Sequence, residues 1–178
     1  AHRVLIKTNV RGRRAQALTL CRSQATDYLD RHLSSRESYK SRFKTLCREL
    51  GVSQDAQRIE CYDVSHTGGE SVVASHIVFG PTGPEASQYR RFNIREAEPG
   101  DDYGALREVL TRRFRHAFDE NNSESLPDIV LVDGGKGQLG VAREVVNELN
   151  MENIFLAGIA KGTGRNPQLD RLYCFRND

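Results

Sequence analysis

Apolar and polar positions follow two different periods along this chain, and the change falls near residue 58. Upstream, the spacing is helical. Val4-Leu5-Ile6 predicts a short strand, and Arg11-Gly12-Arg13-Arg14 predicts a turn into a helix with Leu18, Cys21, Ala25, Tyr28 and Leu29 on one face. Ser34 with Glu37 three residues later has the form of a capping box, so a second helix is expected. Its apolar stripe is Tyr39, Phe43, Leu46, Cys47 and Leu50, and Gly51 is placed to end it. This helical pair is expected to pack on the downstream part of the chain.

From Arg58 the period becomes that of strands. Ile59 to Ser65, Val72 to Phe79 and Ser87 to Ile94 predict three strands, separated by Gly68-Gly69 and by Gly80-Pro81-Thr82-Gly83-Pro84. Such short links favour an antiparallel meander. A helix over about Asp101 to Phe118 comes next, with Tyr103, Leu106, Leu110, Phe114 and Ala117 on its buried side. After a polar loop at Asn121-Asn122-Ser123, Ile129-Val130-Leu131-Val132 is an unbroken apolar run of the type buried on both faces of a sheet. A helix over Lys136 to Leu149 and a strand from Ile154 to Ala160 complete a βαβ unit, and Leu172 to Phe175 predicts one more strand. Three antiparallel strands, a helix, then strand, helix, strand is the element order of the ribonuclease H-like α/β fold, a mixed sheet with flanking helices, although other α/β meanders share this periodicity.

With 178 residues, 38% hydrophobic and 28% charged, the chain has the profile of a soluble domain with an appendage, or of two small domains. The division expected is an N-terminal segment over residues 1–57 packing on a core domain over residues 58–178. No apolar run approaches the roughly 20 residues of a membrane helix, and Ala1 to Ile6 contains no signal-peptide core. Cys21, Cys47, Cys61 and Cys174 form no close pair, which argues against a zinc knuckle or a compact disulfide framework and for a reducing cytoplasm. Charge is divided unevenly. Residues 1–58 carry 13 Lys or Arg against 5 Asp or Glu, and residues 59–178 carry 13 against 19. A basic segment beside an acidic one suits a protein that holds a polyanion with one part and metal ions with the other, or else a solvated basic helix pair.

Three carboxylates stand out by position. Asp63 interrupts the first strand on the face of Ile59 and Cys61, where an unpaired charge is costly to bury. Asp133 ends the most apolar strand, and Asp101-Asp102 opens a helix after Pro99-Gly100. Each also has a structural explanation: Asp101 as a helix N-cap, Asp102 on the helix dipole, Asp133 as a turn residue. Together, carboxylates from strand ends and a helix start can converge on a hard cation such as Mg²⁺, which supplies hydroxide and stabilises an in-line phosphoryl transition state. Gly135, Gly137 and Gly140 match a dinucleotide-binding spacing between strand and helix. Against that reading, no acidic residue follows the next strand at Ala160-Lys161-Gly162, and Asp133 faces the pyrophosphate with a negative charge. Tyr89-Arg90-Arg91-Phe92 mixes arginines and aromatics, with alternation putting Arg90 and Phe92 on one face. Lys136 and Lys161 lie at strand ends where active-site loops gather. His66 is a supporting or structural residue.

Cys61-Tyr62-Asp63-Val64-Ser65-His66, Tyr89-Arg90-Arg91-Phe92-Asn93-Ile94, Pro99-Gly100-Asp101-Asp102-Tyr103 and Pro127 to Leu139 resemble, in order, the C-terminal half of the UvrC family, excinuclease components of bacterial nucleotide excision repair. Arg11-Gly12-Arg13-Arg14 and Gly158 to Gly162 extend the resemblance over almost the whole chain. The resemblance implies a ribonuclease H-like endonuclease that uses Mg²⁺ or Mn²⁺ to make the 5′ incision beside a lesion in double-stranded DNA, with UvrB as partner through a motif that is not in this chain. It implies Asp63, Asp102 and Asp133 as metal-holding catalytic carboxylates, with Asp101 as the helix cap. Arg11, Arg13, Arg14, Arg90, Lys136 and Lys161 are the expected DNA contacts. The family's catalytic His lies in a downstream segment that this sequence does not reach, so weak activity is expected of the 178 residues alone. A catalytically inactive DNA- or protein-binding module of the same fold and a nucleotide-binding enzyme using the glycine loop are the alternatives.

Overall fold

A computed structural model describes residues 9–67, 71–119, 126–162 and 170–175. One helix, α1 (Arg13–Leu50), replaces the two expected. No Gly or Pro occurs between residues 13 and 50, so nothing in the backbone interrupts the helix at Ser34 and the capping-box pair lies inside it. At 38 residues α1 is about 57 Å long. Only its last turns find something to pack on: Phe43, Cys47 and Leu50 are buried with Ile59 and Ile129. Tyr28 is 72% exposed and Leu33 54%, so the apolar face predicted between Leu18 and Leu29 is not buried. The helix ends as expected at Gly51, which takes the left-handed conformation (φ 71°) and donates its N–H to Arg48 O.

The remaining elements are β1 (Ile59–Thr67), β2 (Ser71–Gly80), the two-residue β3 (Gly83–Pro84), a 3-10 turn over Ala86–Gln88, β4 (Arg90–Asn93), α2 (Asp102–Asp119), β5 (Ile129–Val132), α3 (Lys136–Glu148), β6 (Phe155–Ala160) and β7 (Arg171–Phe175). The strand expected from Ser87 starts only at Arg90, because Ser87 and Gln88 belong to the turn. All seven strands form one mixed sheet in the order β3-β2-β1-β5-β6-β7, with β4 also paired to β2. β1, β5 and β6 run parallel at its centre; β2 and β7 flank them antiparallel. The predicted strand at Val4-Leu5-Ile6, the Gly68-Gly69 turn and the Asn121-Asn122-Ser123 loop lie outside the described residues.

Alternation along the strands gives the sheet two faces. Tyr62, Ala74, Val130, Val132 and Leu156 point to one, where Leu106, Leu110 and Phe114 of α2 and Leu139 and Val146 of α3 complete the main core. Ile59, Phe79, Ile129, Leu131 and Phe155 point to the other, which meets the end of α1. Gly83 seats that contact: its φ is 116°, and a Cβ there would lie 2.9 Å from the Tyr39 ring. Since α1 covers the second face only where the parallel strands begin, the face stays open where they end. No described helix is long and apolar enough to cross a membrane.

Candidate active site

Tyr62 of β1 pairs with Val132 of β5 in parallel register, so the next residue on each strand, Asp63 and Asp133, stand side by side. The Asp133 N–H donates to Tyr62 O at 2.9 Å and carries the ladder one step further. Both aspartates fall on the open face, in line with Ile59 and Cys61 on β1 and with Ile129 and Leu131 on β5. The parallel neighbour β6 delivers Lys161 just beyond its end, and Lys161 Nζ donates to Asp133 Oδ2 at 2.8 Å. Gly158 allows β6 this close approach, because a Cβ there would meet the Gly134 carbonyl oxygen at 2.8 Å.

The electrostatics come from this placement. Burial, the negative charge of Asp133 and a hydrogen bond between the two side chains raise the Asp63 pKa, while Lys161 opposes the rise. Burial, followed by the charges of Asp133 and Asp63, pushes the Cys61 thiol up to about 11, so it stays protonated beside the pair. Two adjacent carboxylates that raise a neighbouring proton affinity are an oxygen-donor set a divalent cation would relieve, and Mg²⁺ is commonly held by one or two carboxylates.

Asp102 occupies the first turn of α2 and is half-buried. Asp101 is the N-cap: its Oδ1 accepts from Gly104 N at 2.8 Å. The Tyr103 ring lies against Gly137, which places the start of α2 beside the start of α3, near Asp133. Among the described residues there is no group of three or more His, Cys, Asp or Glu side chains that could hold a metal ion. Glu108, buried on α2, accepts from the N–H groups of Arg95 (3.0 Å) and Glu96 (2.8 Å) and so fixes the segment that leads into Asp101-Asp102.

The expected DNA contacts fall in three places. Lys161 is on the aspartate pair, and Lys136 at the start of α3 has its ammonium 5.3 Å from the centre of the Tyr173 ring. Arg90 lies on edge strand β4, with its Nη1 on Ser87 O and Tyr89 O. Arg11, Arg13 and Arg14 gather at the far end of α1, roughly 50 Å from its packed end by helix length. Gly135, Gly137 and Gly140 all lack the positive φ that would mark a glycine-specific turn, and Tyr103 fills the space over Gly137 that a pyrophosphate would need.

A second polar cluster is not among the residues that the sequence singles out. Glu60, fully buried, accepts from Tyr62 Oη (2.6 Å), Arg58 Nε (2.7 Å) and Arg113 Nη2 (2.6 Å), and His76 Nε2 lies 3.2 Å from it. Burial alone would raise the Glu60 pKa, but His76, Arg113 and the Tyr62 hydroxyl outweigh it and hold the carboxyl at about 2. The available signal was alternation, which puts Glu60 on the core side with Tyr62; its cationic partners come from β2 and α2 and carry no local mark.

The family profile described as "UvrC RNAse H endonuclease domain" matches residues 47–177. UvrABC system protein C of Ectopseudomonas mendocina is 48% identical over 94% of this chain and 27% of its own length. The same protein of Pseudomonas savastanoi is 45% identical over 96% of this chain and 28% of its own. The chain thus spans little more than a quarter of these relatives. Among solved structures, Ciona intestinalis endonuclease V in complex with an inosine-containing DNA aligns at 15% identity over 82% of this chain and 61% of that one, with a TM-score of 0.46. The catalytic domain of human endonuclease V aligns at 18% identity over 60% and 46%, with a TM-score of 0.45. The profile match over most of the chain and close to half identity across nearly all of it show that this chain belongs to the UvrC RNase H endonuclease domain family.

Proposed function

We propose that this domain cuts a DNA strand by metal-dependent phosphodiester hydrolysis, as the nuclease that makes the 5′ incision in nucleotide excision repair, within a larger protein that works with UvrB. The carrying observation is the parallel register of β1 and β5, which sets Asp63 beside Asp133 with Lys161 on Asp133. In this reading Asp63 and Asp133, joined by Asp102 from the start of α2, hold Mg²⁺ or Mn²⁺. The bound ion supplies an activated water and offsets charge on the phosphoryl oxygens. Asp63 and Asp133 orient the group they hold from backbone positions set by the β1–β5 ladder. Lys161 neutralises Asp133 until substrate arrives, and its ammonium then lies within reach of a scissile phosphate. Lys161 borders this open face and Lys136 lies over Tyr173 on the α3 side, while Arg11, Arg13 and Arg14 belong to a distant basic end of α1 in residues 1–57, which we treat as an appendage to the core over 58–178.

An inactive binding module of the same fold is favoured by one observation, the absence of a third carboxylate grouped with the pair among the described residues. A Mn²⁺ titration followed by electron paramagnetic resonance separates the two. The nuclease reading expects saturable binding that Asp63→Asn and Asp133→Asn each abolish; binding that survives both substitutions refutes it. In a full-length relative, Asp63→Ala at this position is expected to remove the 5′ cut and leave the 3′ cut.

A further inference from the structure

On the face of the sheet opposite the aspartate pair, a cavity of about 390 Å³ opens between β4, β2, the start of β1 and the second half of α2. Its walls include Arg58, Arg90, Arg112, Arg113, His76 and Phe92. Asp63 lies five positions after Arg58, about 16 Å along an extended strand, and the two sites share no residue.

Four guanidinium groups surround this space. Glu60 answers Arg58 and Arg113, and Glu108 answers Arg112 at 2.9 Å. Among the described residues these are the cavity's carboxylates, apart from Glu85, which reaches it only through Gln88. Arg90 spends Nη1 on two backbone carbonyls, and its Nε and Nη2 donate to nothing among the described residues. His76 supplies an independent sign of a missing partner. It is 2% exposed; its Nε2 lies 3.2 Å from Glu60 Oε2, and its Nδ1 has no hydrogen-bond partner among the described residues. The ring is held between Tyr62 and Phe92, with centroids at 5.1 and 6.2 Å, and cannot turn out to solvent without breaking the core. A buried polar group left in this way costs stability unless something in the cavity bonds to it.

We propose that this cavity is a binding site for a phosphate group, with Arg90, Arg58 and Arg113 facing its oxygens and His76 donating one N–H. Arginine forks match phosphate oxygens in pairs, and a wall that carries four guanidinium groups favours an anion over a neutral ligand. The space is larger than a phosphate alone requires and has the Phe92 ring in its wall, so the group enters attached to a carrier, a nucleotide or the end of a nucleic-acid strand. The site uses none of the aspartates and no metal, and it stands or falls independently of the nuclease reading.

The test is nitrogen-15 NMR of labelled histidine in the 178-residue chain, titrated with inorganic phosphate, with thymidine 5′-monophosphate and with sodium chloride at matched ionic strength. The His76 ring signals are expected to shift saturably with both phosphates, more tightly with the nucleotide, and to stay put with chloride. Equal affinity for the two phosphates would reassign the site to free phosphate and overturn the carrier. Arg90→Glu, on an exposed edge-strand position, and the milder Arg90→Gln are expected to weaken binding roughly tenfold or more, and Asp63→Asn to leave it unchanged. No shift of His76 with either phosphate, the same shift with chloride, or full affinity in both Arg90 variants would overturn the site and leave His76 bonded to a buried water.

Discussion

Glu60 is a fully buried carboxylate with several hydrogen-bond partners, and its depressed pKa makes a stability statement. The folded value of about 2 lies below the ordinary value of 4.5. The contribution is therefore fully present above pH 4.5 and lost as the pH falls from there toward 2, by roughly 3 kcal/mol at most. Glu108, also held below its ordinary range by bonds to backbone N–H groups and to Arg112, acts in the same direction. Urea denaturation between pH 6 and pH 3 is expected to show this loss in the parent chain. Glu60→Gln should be destabilised at pH 6, by about 3–5 kcal/mol, because Arg58 and Arg113 keep their buried charges, and its own pH dependence should be flatter. Gly158 makes a sharper steric prediction. Gly158→Ala presses a methyl group onto the Gly134 carbonyl and is expected to cost about 1–3 kcal/mol in the same assay while disturbing the Asp133 loop. Asp63 and Asp133 were legible in the sequence as interruptions of apolar strands. Glu60 was not, because a carboxylate beside Tyr62 gains its meaning only from His76 and Arg113, 16 and 53 positions away.

At the scale of elements, α1 divides in two by function rather than by secondary structure. Its last turns are part of the core through Phe43, Cys47 and Leu50, whereas among the described residues nothing buries Leu20, Tyr28 or Leu33 of its first turns. Removing residues 9–35 is therefore expected to leave the thermal midpoint of the sheet within a few degrees of the parent, while Phe43→Ala should lower stability by about 3–5 kcal/mol. Differential scanning calorimetry distinguishes the two; a large loss on truncation would mean that the first half of α1 packs on the sheet after all. α2 and α3 were legible from periodicity to within a few residues because each has a buried and a solvated side, and β5 from its unbroken apolar run, which is buried on both faces; the two-residue β3 carried no such pattern. The break expected at Ser34 does not occur because a capping-box pattern starts a helix only where the preceding turn is broken, and here no Gly or Pro breaks it.

Over the whole molecule, three separated groups of basic residues stand out: the far end of α1, the aspartate pair, and the arginine cavity on the opposite face. If Arg11, Arg13 and Arg14 meet DNA, replacing all three with Ala should flatten the log–log salt dependence of binding by roughly two to three units, at about 0.9 per phosphate, as read by fluorescence anisotropy. An unchanged slope leaves them a solvated tip and confines DNA contact to the sheet. The sequence by itself determined most of the described strands and the two core helices, the mixed α/β class, the capping role of Asp101 and the positions of Asp63 and Asp133, because each depends on the nature and spacing of neighbours close along the chain. Tertiary structure alone decided that Asp63 and Asp133 touch, that Lys161 bonds to one of them, and that α1 runs unbroken past the sheet. It also decided that Arg90 faces away from the aspartates and into a cavity with His76. Those outcomes depend on strand order, register and the end of the sheet, which bring together residues tens of positions apart that no local pattern links.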